Sequence, residues 1–245
     1  MFRITSCESQ VKPETPNSKQ SPGVSDSSVM DGGDMDMQGL KSVVRCVIYD
    51  CDGVLFDSLE ANGRLYRDVC TSIGRNPLDA DELRYVHSHT VFESIRLLAR
   101  GDEALEKKAA QVLQNADPHV YIPYLKVELH LLETLSQLKE RGILRAVSTN
   151  RTTSMKYVME EFKLRPYFEM VVTALDVKNP KPHPESIEKI LTAFKLKREE
   201  AIFVGDSEVD QETARASGVR FVAYKNQAIA NEFLIEDHLD LLKIL

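Results

Sequence analysis

Cysteine is scarce in this chain. Its 245 residues hold four, Cys7, Cys46, Cys51 and Cys70. None of them stands in the C-x-x-C spacing of a zinc or redox site. Cys46 and Cys51 fall in or beside a predicted buried strand, so free thiols in a reducing, cytoplasmic setting are expected. Long apolar runs are missing, which excludes a predicted membrane-spanning helix. Positive charge is in deficit: 31 Lys and Arg against 38 Asp and Glu leave a formal net charge of -7. That argues against non-specific nucleic-acid binding and against an anionic membrane surface as partner. Residues 1–40 lack apolar periodicity and are rich in Ser, Pro, Gly, Asp and Gln. Such a segment buries too little surface to offset its ordering entropy, so a disordered tail is expected there. It has no apolar h-region and is too acidic for a transit peptide.

What is present reads as a globular protein: 42% apolar and 28% charged residues, with length for one large or two small domains. From about residue 41 apolar strands alternate with helical patterns. VVRCVIYD (43–50), ILRAVST (143–149), EMVVTA (169–174), AIFVGD (201–206) and VRFVAY (219–224) read as buried strands. Helices are predicted at 127–142, 153–162, 184–194, 209–218 and near 236–244. This alternation predicts an α/β fold, a parallel sheet with helices on both faces. Between the first two strands the patterns are helical only, at 59–73, 92–100 and 102–114. The expected organisation is therefore a core of 41–59 and 128–245, with a small all-helical domain, 60–127, inserted after the first strand.

Polar residues gather where the predicted strands end. Asp50 and Asp52 close the first, Ser148, Thr149 and Asn150 the second. Lys178 and Lys181 follow the third, and Asp206, Ser207, Glu208 and Asp210 the fourth. In an open parallel sheet these ends meet at one crevice. Clustered carboxylates suit a hard divalent cation such as Mg²⁺, which commonly bridges a phosphate. A lysine and strand-end hydroxyl and amide groups suit the other phosphate oxygens. One carboxylate there can attack phosphorus. A second can act as acid and then base, a role that favours a raised pKa.

These segments resemble the four motifs of the haloacid dehalogenase superfamily: YDCDGVLFDS, VSTN, KPHPE (181–185) and FVGDSEVD, in that order, across roughly 41–245. The resemblance implies a Rossmann-like core with a helical cap. It implies Asp50 as nucleophile and magnesium ligand, and Asp52 as acid/base that also lends a backbone carbonyl to the metal. Thr149 and Lys181 would bind the transferring phosphoryl group, with Asn150 shaping the pocket. Asp206 would be a metal ligand. Asp210 would support the metal through water or orient Lys181, with Ser207 and Glu208 close behind. The phosphoglycolate phosphatase branch is the one most similar. A Mg²⁺-dependent phosphatase acting on a small phosphorylated metabolite, 2-phosphoglycolate or a sugar phosphate, follows as the expectation, as a monomer or homodimer. A phosphomutase of the β-phosphoglucomutase type, or a non-enzymatic regulator on the same fold, remains open.

Plainer readings stand beside these. Asp50 and Asp52 can be a strand-capping turn, Thr149 and Asn150 a helix N-cap, and Lys181 a solvated loop residue. Asp57 and Ser58 suit the turn into the insertion, and Cys51 a small buried side chain. His87, His89, Arg64 and Arg96 can meet substrate from the insertion or face solvent. Lys107 and Lys108 read as an exposed helix face, and Lys178 as surface.

Overall fold

The structure is a computed structural model and describes residues 44–245; the expected tail, 1–40, lies outside the described residues. The chain opens with β1 (Cys46–Tyr49) and β2 (Phe56–Asp57), then the helices α1 (Leu59–Ser72), α2 (Ala80–Ser88), α3 (Val91–Ala99), α4 (Glu103–Asn115) and α5 (Pro118–Tyr121). It continues through β3 (Lys126–Val127), α6 (Leu131–Glu140), β4 (Leu144–Ser148), α7 (Ser154–Glu161), β5 (Met170–Val172) and α8 (Glu185–Phe194). It closes with β6 (Ala201–Gly205), α9 (Glu208–Ser217), β7 (Arg220–Tyr224), β8 (Phe233–Ile235) and α10 (His238–Ile244).

Six strands form one parallel sheet in the order β5-β4-β1-β6-β7-β8. The chain builds outward from β1 to β4 and β5, then returns across the sheet to β6 and builds the other way. The order thus reverses beside β1, which places the crevice of such a sheet at the carboxyl ends of β1, β4 and β6.

Strand alternation sorts the core. Val47, Tyr49, Val147, Ile202, Val204, Val222 and Tyr224 join one apolar cluster with Leu135 and Leu138 of α6, Val158 of α7 and Leu241 of α10. Their neighbours Cys46, Ile48, Ala146, Phe203, Phe221 and Ala223 join a second with Ile187 and Ile190 of α8 and Ala214 of α9. Successive side chains leave a strand on opposite faces, so both faces of the sheet are packed, as a buried parallel sheet requires. A third cluster (Tyr66, Val69, Cys70, Ile73, Val86, Ile95, Leu98 and Ala109) belongs to α1–α4 alone. Among the described strand residues one charge is buried: Arg145, which donates to Glu169 at 2.5 Å and to the carbonyls of Ile143 and Tyr167 at 2.6 and 3.0 Å.

Two expectations shift. The helix expected over 127–142 begins only at Leu131. Lys126 and Val127 instead pair antiparallel with Asp57 and Phe56, and Glu128 N–H donates to the Leu55 carbonyl at 3.0 Å. Tertiary pairing with the chain after β1 overrides the amphipathic period. The edge strand β8 carries three apolar residues, too short a run to be read as a strand beforehand.

The C-terminal helix is tied to the catalytic-loop candidate. His238 is buried, its Nε2 lies 2.8 Å from the Val54 carbonyl, and its ring stacks on Tyr224 at 4.6 Å. Burial is the main cause that pushes its pKa down, to about 4, against the opposing pull of the Val54 carbonyl, Glu128 and Asp237; Lys225 adds to the depression. A depressed histidine contributes stability that is present above its unfolded pKa and is lost as pH falls through the folded one. Between about pH 6.5 and 4 this group should cost up to about 3 kcal/mol. Urea denaturation should therefore show wild type losing more stability than His238→Phe between those pH values; parallel losses would exclude this origin.

Candidate active site

β1 delivers Asp50 to the crevice: its N–H continues the ladder by donating to the Val204 carbonyl at 2.9 Å, and its carboxylate is buried. The chain then turns tightly, with Leu55 N–H bonded to the Cys51 carbonyl and Gly53 N–H to the Phe56 carbonyl, at 2.9 and 2.8 Å. Gly53 is required twice over. Its φ is +76°, and a Cβ there would lie 1.9 Å from Asp206 Oδ2. The glycine after the paired aspartates therefore exists to let the β6 carboxylate approach the β1 loop. Gly205 serves the same approach, since a Cβ on it would lie 2.3 Å from the Asp210 Cβ.

Lys181 is the cation of the site. It is buried, and its Nζ donates to Asp50 Oδ1 at 2.7 Å and to Asp210 Oδ1 at 2.6 Å. Asp210 Oδ2 accepts from the Ser207 hydroxyl at 2.6 Å, and Ser207 and Asp210 form the capping box of α9. Asp210 therefore orients Lys181 and caps its own helix at once. Asn150 brackets the lysine from the main chain: its Nδ2 donates to the Lys181 carbonyl and its Oδ1 accepts the Lys181 N–H, both at 3.0 Å. Thr149 is buried, and its Oγ1 accepts from Arg151 N–H at 3.1 Å. The alternative of Thr149 and Asn150 as a helix N-cap does not hold, because α7 starts only at Ser154.

Ligand oxygens of Asp50, Asp206 and Asp210 lie within 4.8 Å of one another. Three carboxylates thus face one ammonium. Burial is the largest cause that pushes Asp50 up, to about 7, with Asp210 and Asp52 adding repulsion and Lys181 opposing. Burial also raises Asp206 well above the carboxylate range, followed by repulsion from Asp210 and Asp50. Burial works against the charge on Lys181, but Asp210 and Asp50 outweigh it and hold the lysine above its ordinary value. An all-oxygen donor set with unbalanced negative charge fits a hard divalent cation.

The Asp52 side chain stands apart from this group. Arg151 donates to it through a two-point fork, Nε to Oδ2 at 2.7 Å and Nη2 to Oδ1 at 2.6 Å. Burial pushes the Asp52 carboxyl up, but Arg151, with Ser58 and His87 helping, carries it below the usual range. The raised pKa expected for an acid at this position is therefore absent, and the cause is a guanidinium that the sequence reading passed over.

Other candidates sort by position. Glu208 is exposed; two residues before Asp210 on a helix, it points away from the cluster. Asp57 Oδ1 accepts from Leu59 N–H at 3.2 Å and so turns the chain into α1. Cys51 is buried and burial raises its thiol, leaving it unreactive. His87 lines a cavity of 290 Å³ with Gly53, Asp206, Glu128, Lys225 and Asn226, whereas His89 is exposed and stacks on Tyr85. Arg64 lies over the Tyr124 ring and pairs with Glu60, and Arg96 lies over Phe92. Lys107, Lys108, Lys178 and His183 are exposed. Asn226 went unnoticed, yet it donates to the Asp206 carbonyl at 2.8 Å from the end of β7. The strand-end rule, applied once more, would have found it.

Comparison with known proteins agrees with this geometry. The haloacid dehalogenase-like hydrolase family profile matches residues 47–224. A PpaX-type candidate pyrophosphatase of Caldanaerobacter subterraneus is 39% identical over 50% of this chain and 60% of its own length. Phosphoglycolate phosphatase 1 of Pseudomonas aeruginosa is 28% identical over 73% of this chain and 68% of its own. The chain thus spans about three-fifths of the first of these relatives and about two-thirds of the second. A subfamily IA hydrolase of the haloacid dehalogenase superfamily from Geobacter sulfurreducens superposes with a TM-score of 0.73 at 39% identity, covering 82% of this chain and all of that one. Among the described residues no helix is long and apolar enough to cross a membrane.

The Asn150 bracket generates a prediction. Asn150→Ala removes both bonds to the Lys181 backbone and should lower stability by about 1–3 kcal/mol. It should also lower kcat about tenfold or more, because Lys181 loses its placement. Thermal unfolding together with phosphate-release kinetics checks both parts; unchanged kcat would show that the lysine is placed by its carboxylates alone.

Proposed function

The chain belongs to the haloacid dehalogenase-like hydrolases, and we propose that it is a Mg²⁺-dependent phosphatase of a small phosphorylated metabolite, 2-phosphoglycolate or a compound of similar size. The observation that carries this reading is the buried Lys181 held between Asp50 and Asp210, with Asp206 alongside. A pure binding module has no use for a nucleophile so placed.

Asp50 and Asp206, with the Asp52 main-chain carbonyl, would hold the cation. When bound, Mg²⁺ supplies charge neutralisation for the phosphoryl group and for the carboxylates around it. Lys181 and Thr149 hold the phosphoryl oxygens. An Asp50 oxygen attacks phosphorus as the ester oxygen leaves, forming an aspartyl-phosphate, and Asp52, once free of Arg151 and protonated from solvent, gives that proton to the leaving oxygen. Asp52 then takes a proton from the water that attacks the aspartyl-phosphate. Inorganic phosphate departs and Asp50 is restored. The helices α1–α4, which have their own apolar cluster, act as a cap whose movement admits substrate and excludes water. The names of the relatives, a phosphoglycolate phosphatase and a candidate pyrophosphatase, support the substrate size.

Phosphate release from 2-phosphoglycolate, pyrophosphate, sugar monophosphates and nucleotides should depend on Mg²⁺ and stop on chelation. Asp50→Asn should lower kcat by at least about 10³-fold while the folded structure is kept, as circular dichroism would show. Retained turnover in that variant would remove Asp50 as nucleophile. Absence of release, with a long-lived phosphoryl-enzyme in its place, would favour a phosphomutase.

A further inference from the structure

The Arg151–Asp52 fork poses a problem for the reaction, and the problem has a chemical answer. Both oxygens of Asp52 are engaged, Oδ2 by Nε and Oδ1 by Nη2. A carboxylate gripped in this way is directed at the guanidinium through both oxygens. A fork of this kind is strong and specific in direction, so another anion that takes the guanidinium is the natural way to open it. The location suits such an exchange. Arg151 follows directly on Thr149 and Asn150, and its own N–H is bonded to Thr149 Oγ1, the phosphate-binding candidate. Its side chain is 15% exposed and that of Asp52 is 27% exposed, so the pair is reachable from the crevice. Among the described residues Nη1 makes no hydrogen bond, which leaves the outer edge of the guanidinium open to an arriving anion before the fork lets go.

We propose that Arg151 is a substrate-reading latch: a second anionic group on the substrate, carboxylate or phosphate, captures its guanidinium and so releases Asp52, which takes up a proton from solvent and carries it to the leaving oxygen. The inference rests on the phosphatase reading and deepens it. It restricts substrates to compounds that carry a second anion close to the scissile phosphate, and it makes Asp52 available only when such a compound is bound. Sugar phosphates and nucleosides without a second anion within reach would leave the latch shut. The guanidinium stays paired throughout, because one anion replaces another on it, and the carboxylate set free is neutralised by the proton it takes up.

Binding without turnover tests this separately from the phosphatase reading. Calorimetric titrations of the full chain in Mg²⁺ buffer would compare phosphonoacetate, methylenebisphosphonate and methylphosphonate, the last lacking a second anion. Wild type should prefer at least one of the first two over methylphosphonate by about tenfold or more, and the preferred one identifies the second anion as carboxylate or phosphate. Arg151→Gln should collapse that ratio to about one, and Arg151→Lys, which keeps the charge without the fork, should retain part of it. Asp52→Asn should strengthen binding of the preferred ligand, because the guanidinium no longer has a carboxylate to give up. No preference in wild type, a ratio that survives Arg151→Gln, or weaker binding in Asp52→Asn would each overturn the latch. Failure of hydrolysis on every substrate, with these binding ratios intact, would count against the phosphatase reading and leave the latch standing.

Discussion

Everything in the site depends on one buried ammonium. Lys181 Nζ lies 2.7 Å from Asp50 and 2.6 Å from Asp210, with Asp206 completing a group of carboxylates that one positive charge cannot balance. Removing such groups from water is costly, and the arrangement survives because each partner is fixed from a second direction. Asn150 clamps the lysine main chain, Ser207 takes the far oxygen of Asp210, and Gly53 and Gly205 give up their side chains so that the carboxylates can close in. The residual negative charge is what makes the group suited to a cation and to a phosphoryl ligand.

The sheet supplies the rigidity for this. Asp50, Thr149 and Asp206 follow the ends of β1, β4 and β6, three neighbouring strands packed on both faces. Reactive groups on the ends of buried parallel strands move little, which suits a reaction that runs on positioning and charge neutralisation. The Asp52–Arg151 pair lies beside this rigid group and is built differently, from partly exposed side chains on two loops. A rigid buried cluster and a partly exposed ion pair thus occupy adjoining parts of one crevice.

Much of this was legible beforehand. Buried parallel strands read as continuous apolar runs, and the first polar residue after each run marks a strand end. That rule reached Asp50, Thr149, Asn150 and Asp206 directly, and Asp210 one helical turn later. It overreached at Glu208, because residues two apart on a helix, as Glu208 and Asp210 are, point to nearly opposite sides. It also passed over Asn226, although this residue too follows a strand. The helix expected over 127–142 started late because Lys126 and Val127 were taken up by a strand partner about seventy residues upstream in the chain, and no local period carries that information.

Hydrophobic period and chain order are local properties, and they suffice for the alternation of strands and helices, the run of helices between β2 and β3 and the residue types at the strand ends. What each polar group faces is set by packing between distant segments. Arg151 and Asp52 are 99 positions apart and meet because β4 lies against β1 in the sheet. That adjacency, set by long-range packing, gives Asp52 a partner that lowers its pKa where an isolated carboxyl in the same crevice would have been raised.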